Sequence, residues 1–156
     1  MTSADPTTLA YLARRGVPPQ WRSFMRSLVE TLDTHLDAAS RDSLLRAVGA
    51  RLAALSPLPV CSSLAELEAR MNDMLAQIDW GYIEIAFDPN ERALVLTHAA
   101  PPTIATASDP SGGWIAAVLE GLFGAWVSAQ PGAEPSLAPR RIAASPAQIT
   151  LRYGRD

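Results

Sequence analysis

Few side chains in this sequence combine reactive chemistry with the neighbours that a reaction centre needs. Its two histidines, His35 and His98, have no His, Cys or carboxylate three or four residues on, where a helix would place a second metal ligand. Cys61 stands in no C-x-x-C pair, so no metal site is legible. Cys61 and His98 could in principle meet as a nucleophile and its base. Cys61, however, follows Pro57-Leu58-Pro59-Val60, without an oxyanion-hole turn or a glycine-rich elbow. A small buried hydrophobe is the simpler role for it.

Asp79 and Glu120 have apolar neighbours of the kind that raise a carboxylate pKa, which acid–base work on a sugar requires. Each also has a structural reading. Asp79 at a helix–strand junction can accept from a turn amide, and Glu120 on a long helix can pair with an Arg from another segment. Gly112-Gly113 before that helix resembles an anion-binding N-terminus, but two glycines without the fuller pattern read as a chain turn. No catalytic set, cofactor motif or metal ligand cluster emerges, and the expectation is a protein that is not an enzyme.

Charge narrows the field further. All thirteen basic residues are Arg, so a Schiff-base lysine, a Walker A lysine and a Ser-Lys dyad are excluded outright. The net charge of −3 gives no electrostatic reason to bind nucleic acid or an anionic membrane surface. Apolar residues make up 48% and charged residues 19%, a globular balance with no apolar run long enough to span a bilayer. A lone cysteine cannot close an internal disulfide, and Met1-Thr2-Ser3-Ala4-Asp5-Pro6 lacks the basic and apolar regions of a secretory signal. The expected address is the cytoplasm.

The elements that would position these groups are readable from periodicity. Residues 21–36 carry apolar side chains at Trp21, Phe24, Met25, Leu28, Val29, Leu32 and Leu36, one helical face. Val17-Pro18-Pro19 separates this helix from a short segment, Thr7 to Arg15. A second helix is predicted over 40–55, capped by Ser40, with Leu44, Leu45, Val48, Leu52 and Leu55 facing inward until Pro57 and Pro59 end it. Ser63 and Glu66, spaced as a capping box, open a third with Leu64, Leu67, Met71, Met74, Leu75 and Ile78 inside. At Asp79-Trp80-Gly81 the period falls to two, and 82–87 and 93–98 form a hairpin about Asp88-Pro89-Asn90-Glu91. Residues 99–113 make a surface connection, and a proline-rich stretch, 131–146, leads to a last strand over 147–153.

The most apolar element is 114–127, whose large residues recur as doublets every four positions. Its other side carries Ala117, Gly121 and Ala125, with Gly124 beside them. Glycine inside a soluble helix costs about 1 kcal/mol against alanine, and close approach of another backbone is a common compensation. These four residues are therefore candidates for an interface with another subunit. Among the aromatics, Trp114, Phe123 and Trp126 follow core spacing. Tyr11 and Trp21, near Arg14 and Arg15, lie outside the strongest apolar stripes and are the candidates for contacting a sugar polymer or a proline-rich partner. The whole chain reads as one α+β domain over 1–156, with several N-terminal helices, a hairpin, one long buried helix and a C-terminal strand completing a small antiparallel sheet. Residues 1–17 form an N-terminal segment that is mobile in this reading.

These residues resemble a family. Leu44-Leu45-Arg46-Ala47-Val48-Gly49, the Pro59-Val60-Cys61 loop, Asp79-Trp80-Gly81-Tyr82, the long run from Trp114 to Ala133, and Pro146-Ala147-Gln148 are similar to the D subunit of bacterial cellulose synthase. The resemblance covers about 24–153. It implies a non-catalytic accessory subunit without cofactor, assembled as a ring-like homo-octamer with passages for nascent β-1,4-glucan chains. It also implies other synthase subunits as partners and a proline-rich accessory protein, at the inner membrane on the cytoplasmic side or, alternatively, in the periplasm. In the family the passages are associated with the N-terminal region, and here 1–22 departs from the pattern. Outside the resemblance, the residues are also compatible with a homo-oligomeric module that binds a small molecule or protein, or with a hydrolase acting on glucan.

Overall fold

The computed structural model describes residues 4–155. Its elements run α1 (Pro6–Arg15), α2 (Pro19–His35), α3 (Ala38–Leu55), α4 (Leu64–Gln77), β1 (Tyr82–Asp88), β2 (Ala93–Ala99), α5 (Ile115–Ser128), β3 (Arg140–Ala144) and β4 (Gln148–Tyr153). The α+β class is as the sequence predicts. Residues 1–3 of the N-terminal segment, and residue 156, lie outside the described residues.

The sheet is antiparallel with strand order β1-β2-β4-β3. Strand β3 is not foreseen by the sequence pattern. It sits between Pro139 and Pro146, all five of its residues are exposed, and a register shift between Arg141 and Ala143 breaks its alternation. The other edge, β1, is engaged at Ile83 and Ile85 by side chains of α4. Asn72 donates from Nδ2 to the Ile83 carbonyl at 2.9 Å and accepts from the Ile83 N–H at 2.7 Å, while Glu68 accepts from the Ile85 N–H at 2.6 Å. One amide and one carboxylate side chain thus take the place of a neighbouring strand.

Helix starts follow local chemistry. Asp37, not Ser40, caps α3: its carboxylate accepts from the Ser40 N–H at 2.7 Å. At α4 the Ser63 hydroxyl accepts from the Glu66 N–H at 3.1 Å as expected. Glu66 reaches back to Ser62 rather than Ser63, accepting from its N–H at 2.7 Å.

The core forms where α5 packs between α3 and the sheet. Phe123 of α5 meets the His98 ring of β2 edge-on at 5.4 Å, and Leu119, Leu96, Ile83 and Leu151 are fully buried around them. Helix α3 approaches α5 through small residues. Its buried line is Leu45, Gly49 and Ala53, whereas Leu44, Val48 and Leu55, expected inside, are exposed. Helix α2 differs from expectation in the same way, for only Val29 of its apolar face is fully buried. What ties α2 down is largely polar and comes from the connection after β2. The Glu30 carboxylate accepts from the Ala107 N–H at 2.9 Å, Asp33 accepts from the Ser108 hydroxyl at 2.7 Å, and Arg22 donates to the Thr103 carbonyl at 3.2 Å. Helix α1 packs in a second, smaller cluster, with Leu9 and Ala13 buried against Ala99 and Ala100, and the Ala13 carbonyl accepts from the Thr103 N–H at 3.0 Å.

Candidate interaction site

Because neither α2 nor α3 buries its full apolar face, a groove of about 740 Å³ opens between them. Its floor is core: Val29, Leu45, Trp114 and Val118. Its rims are exposed apolar side chains, Trp21 (55%) and Leu28 (42%) on α2 and Leu44 (48%) and Val48 (45%) on α3. Phe24, 57% exposed, extends the surface over the outside of α2 and meets Trp21 edge-on at 5.9 Å. Contiguous exposed apolar surface of this kind marks an interaction site in a folded protein. Periodicity identifies these residues but assigns them to the interior, since nothing in a single sequence says which face of an amphipathic helix its own chain covers.

The sequence-predicted candidates fall in separate places. On α1, Tyr11 and Arg15 pair: Arg15 Nη1 donates to the Tyr11 hydroxyl at 3.1 Å and its guanidinium lies 5.8 Å from the ring centre. Arg14 is exposed, and its carbonyl accepts from Arg22. Trp21 belongs to the groove between α2 and α3. A smaller concavity of about 500 Å³ brings Arg15 together with Asp79 and the half-exposed Tyr82, a residue that no sequence pattern singles out as a candidate.

Within the small-residue stripe of α5, Gly121 meets a backbone of its own chain. A Cβ built on Gly121 would lie 1.9 Å from the Arg46 carbonyl oxygen, so the backbone that approaches it is α3 of the same chain. Ala117 is buried. Gly124, whose Cβ would stand 3.0 Å from the Pro139 ring, and Ala125 are half-buried, and both line a second groove of about 880 Å³.

Of the groups that could have done chemistry, His98, Cys61 and Glu120 are otherwise engaged and Asp79 faces solvent. His98 is fully buried, its Nε2–H donates to the Trp80 carbonyl, its Nδ1 has no partner among the described residues, and burial pushes its pKa down to about 4. Cys61 is half-buried rather than buried. Its N–H donates to Gln130 Oε1 at 2.8 Å, its thiol donates to the Pro59 carbonyl at 3.4 Å, and desolvation raises the thiol pKa. Asp79 is exposed, and what distinguishes it is backbone: a left-handed φ of 55° at the junction into β1. Glu120 does pair with an Arg from another segment, Arg46, at 3.5 Å, and burial raises its carboxyl above the usual range. The N-terminus ahead of α5 is filled by the chain's own anion, because Asp109 Oδ2 accepts from the Trp114 N–H at 2.9 Å. Among the described residues no cluster of three His, Cys, Asp or Glu could hold a metal ion, and no helix is long and apolar enough to cross a membrane.

Comparison with known proteins agrees with the residues that carry the resemblance. The chain is 33% identical over 143 residues to cellulose synthase operon protein D of Komagataeibacter sucrofermentans, covering 88% of this chain and 92% of the relative. It is 36% identical over 115 residues to a protein of the same description from Komagataeibacter xylinus, covering 74% of each. The family model for the D subunit of cellulose synthase matches residues 7–154, nearly the whole described chain, and the protein belongs to that family.

Proposed function

We propose that this chain is a non-catalytic accessory subunit of bacterial cellulose synthesis that associates with itself and with other synthase subunits. In this reading it builds a closed ring, an octamer as the resemblance implies, which organises synthase complexes and guides nascent glucan chains from the cytoplasmic side of the inner membrane. The observation that carries the self-association is the uncovered apolar surface of α2 and α3, rimmed by Trp21, Leu28, Leu44 and Val48. A small-molecule pocket accounts for it less well. Such sites converge a few oriented polar groups, and here Gln77 and Asp79 at one end are the main polar side chains of a groove otherwise lined by apolar ones. On α1, Tyr11, Arg14 and Arg15 remain the candidates for contact with glucan or a proline-rich partner.

The test is genetic and biochemical. A cellulose-producing bacterium lacking this protein should make less, or less ordered, cellulose, while its membranes still polymerise glucan in vitro. Membranes that lose polymerisation altogether until the protein is added back would overturn the accessory role. Normal yield and crystallinity in the deletion strain would overturn the link to cellulose.

A further inference from the structure

We propose that α2 is a self-contact: two copies of the chain pack α2 against α2, antiparallel, about a two-fold axis between Ser27 and Leu28. The inference rests on the self-association reading and adds the surface and its geometry.

The first observation concerns hydration. Beside the ridge of Trp21, Phe24 and Leu28 runs a line of exposed hydroxyl residues, Ser27, Thr31 and Thr34. Each hydroxyl donates to the carbonyl four residues back, Ser27 to Ser23 at 2.9 Å, Thr31 to Ser27 at 2.7 Å and Thr34 to Glu30 at 2.9 Å. A polar group already bonded within its own helix can be stripped of water without being left unsatisfied. This flank of α2 is therefore ready to be covered.

The charges point elsewhere. Arg26 and Glu30 follow Phe24 and Leu28 by two positions, about 160° around the helix, and pair with each other at 2.8 Å. Asp33 is held by Arg41 at 2.7 Å. Depletion of charge at the centre of a patch is the compositional mark of an interface core.

The third observation selects the occupant. Reading α2 against its own reverse about the Ser27–Leu28 axis sets Trp21 level with the partner subunit's Thr34, Phe24 with the partner subunit's Thr31, and Leu28 with the partner subunit's Ser27. Each of these three ridge side chains then falls level with a small one, the alternation that lets facing helices interdigitate. Like charges never share a level, since Arg22 falls beside the partner subunit's Asp33 and Arg26 beside the partner subunit's Val29. A parallel pairing would stack Phe24 on its own copy and Arg26 on its own copy. An isologous contact needs a surface complementary to itself, and α2 has one only in the antiparallel sense.

Two variants and the unaltered chain test this. Ser27→Arg with Thr31→Arg changes exposed helical positions, so helix content by circular dichroism should stay as in the parent, while molar mass at micromolar concentration should fall at least two-fold. An unchanged mass would overturn the α2 contact and leave self-association standing. In a Cys61→Ser background, Phe24→Cys with Thr31→Cys should give covalent dimers on oxidation. The two positions lie seven residues apart in one helix, about 10 Å, too far to close within a chain. Absence of covalent dimers would overturn the proposed register. A parent chain that sediments as a monomer would overturn both this contact and the self-association on which it rests.

Discussion

Gly49 of α3 and Gly121 of α5 face each other's helices at backbone contact. A Cβ on Gly49 would lie 1.9 Å from the Val118 carbonyl oxygen, and one on Gly121 would lie 1.9 Å from that of Arg46. Both distances are far inside van der Waals range, so even a methyl group must push the helices apart. Alanine would gain up to about 1 kcal/mol of helix propensity. Overpacking costs about 1–3 kcal/mol or more and opposes it. Gly121→Ala is expected to lower stability, read from the urea midpoint, by a net ~2 kcal/mol, and Gly121→Leu by more. Gly124→Ala, which would meet only the Pro139 ring at 3.0 Å, should cost less. Equal losses at the two sites would contradict the backbone contact.

His98 makes stability depend on pH. Its pKa is about 4 in the folded protein against an ordinary value of 6.5. Buried neutral, it favours the native state fully above about 6.5, and that contribution drains away as pH falls toward about 4, because the unfolded chain takes up the proton first. The gap corresponds to about 3 kcal/mol. Urea titrations at pH 7 and pH 4.5 should show His98→Leu losing less stability on acidification than the parent. Parallel losses would mean that His98 carries the same charge in the folded and unfolded chain.

Glu120 runs the other way. Burial raises its carboxyl, and the Arg46 guanidinium, itself half exposed, offsets part of that. A carboxylate whose folded pKa is raised opposes folding at neutral pH. Glu120→Gln should therefore be neutral or stabilising at pH 7 and should lose more stability than the parent on acidification, because the penalty that protonation relieves in the parent is already gone. A clear loss at pH 7 would show that the Arg46 pair outweighs its desolvation.

Helix α1 adds a detachable layer. Its buried contribution is Leu9 and Ala13 against Ala99 and Ala100, separate from the main core, which begins at Val17. Deleting residues 1–16 is expected to leave the fold and the assembly intact while lowering stability by about 2 kcal/mol, the worth of one buried leucine. Tested in the cell, the same deletion should impair ordered cellulose export. Full restoration of normal cellulose by the truncated protein would remove any functional role from Tyr11, Arg14 and Arg15.

Elements with strong period are legible in the sequence and their packing is not. The amphipathic face of α2 is plain from Trp21 to Leu32, yet periodicity cannot show that only Val29 is fully covered by its own chain. In α3 the eye follows Leu44 and Val48, while the structure buries Gly49 and Ala53, because close backbone packing selects the smallest residues and hydropathy ranks them last. The same physics misdirects Gly121, whose small size correctly signals a close approach but to a different neighbour. Strand β3 leaves no pattern to read, since no residue of it is buried. Glu120 and Arg46, by contrast, meet as their charges suggest.

The amide of Asn72 presents a donor and an acceptor to Ile83 much as a peptide group would, and Glu68 continues the substitution at Ile85. The sheet is thereby made one-sided. A stray strand from another molecule finds the Ile83 N–H and carbonyl and the Ile85 N–H of β1 already taken, and at β3 it meets five residues, a register shift and a proline near either end. Copies associating as proposed would otherwise risk growing into fibrils edge by edge. In the proposed assembly molecules meet through helices, and the sheet stays out of the reaction.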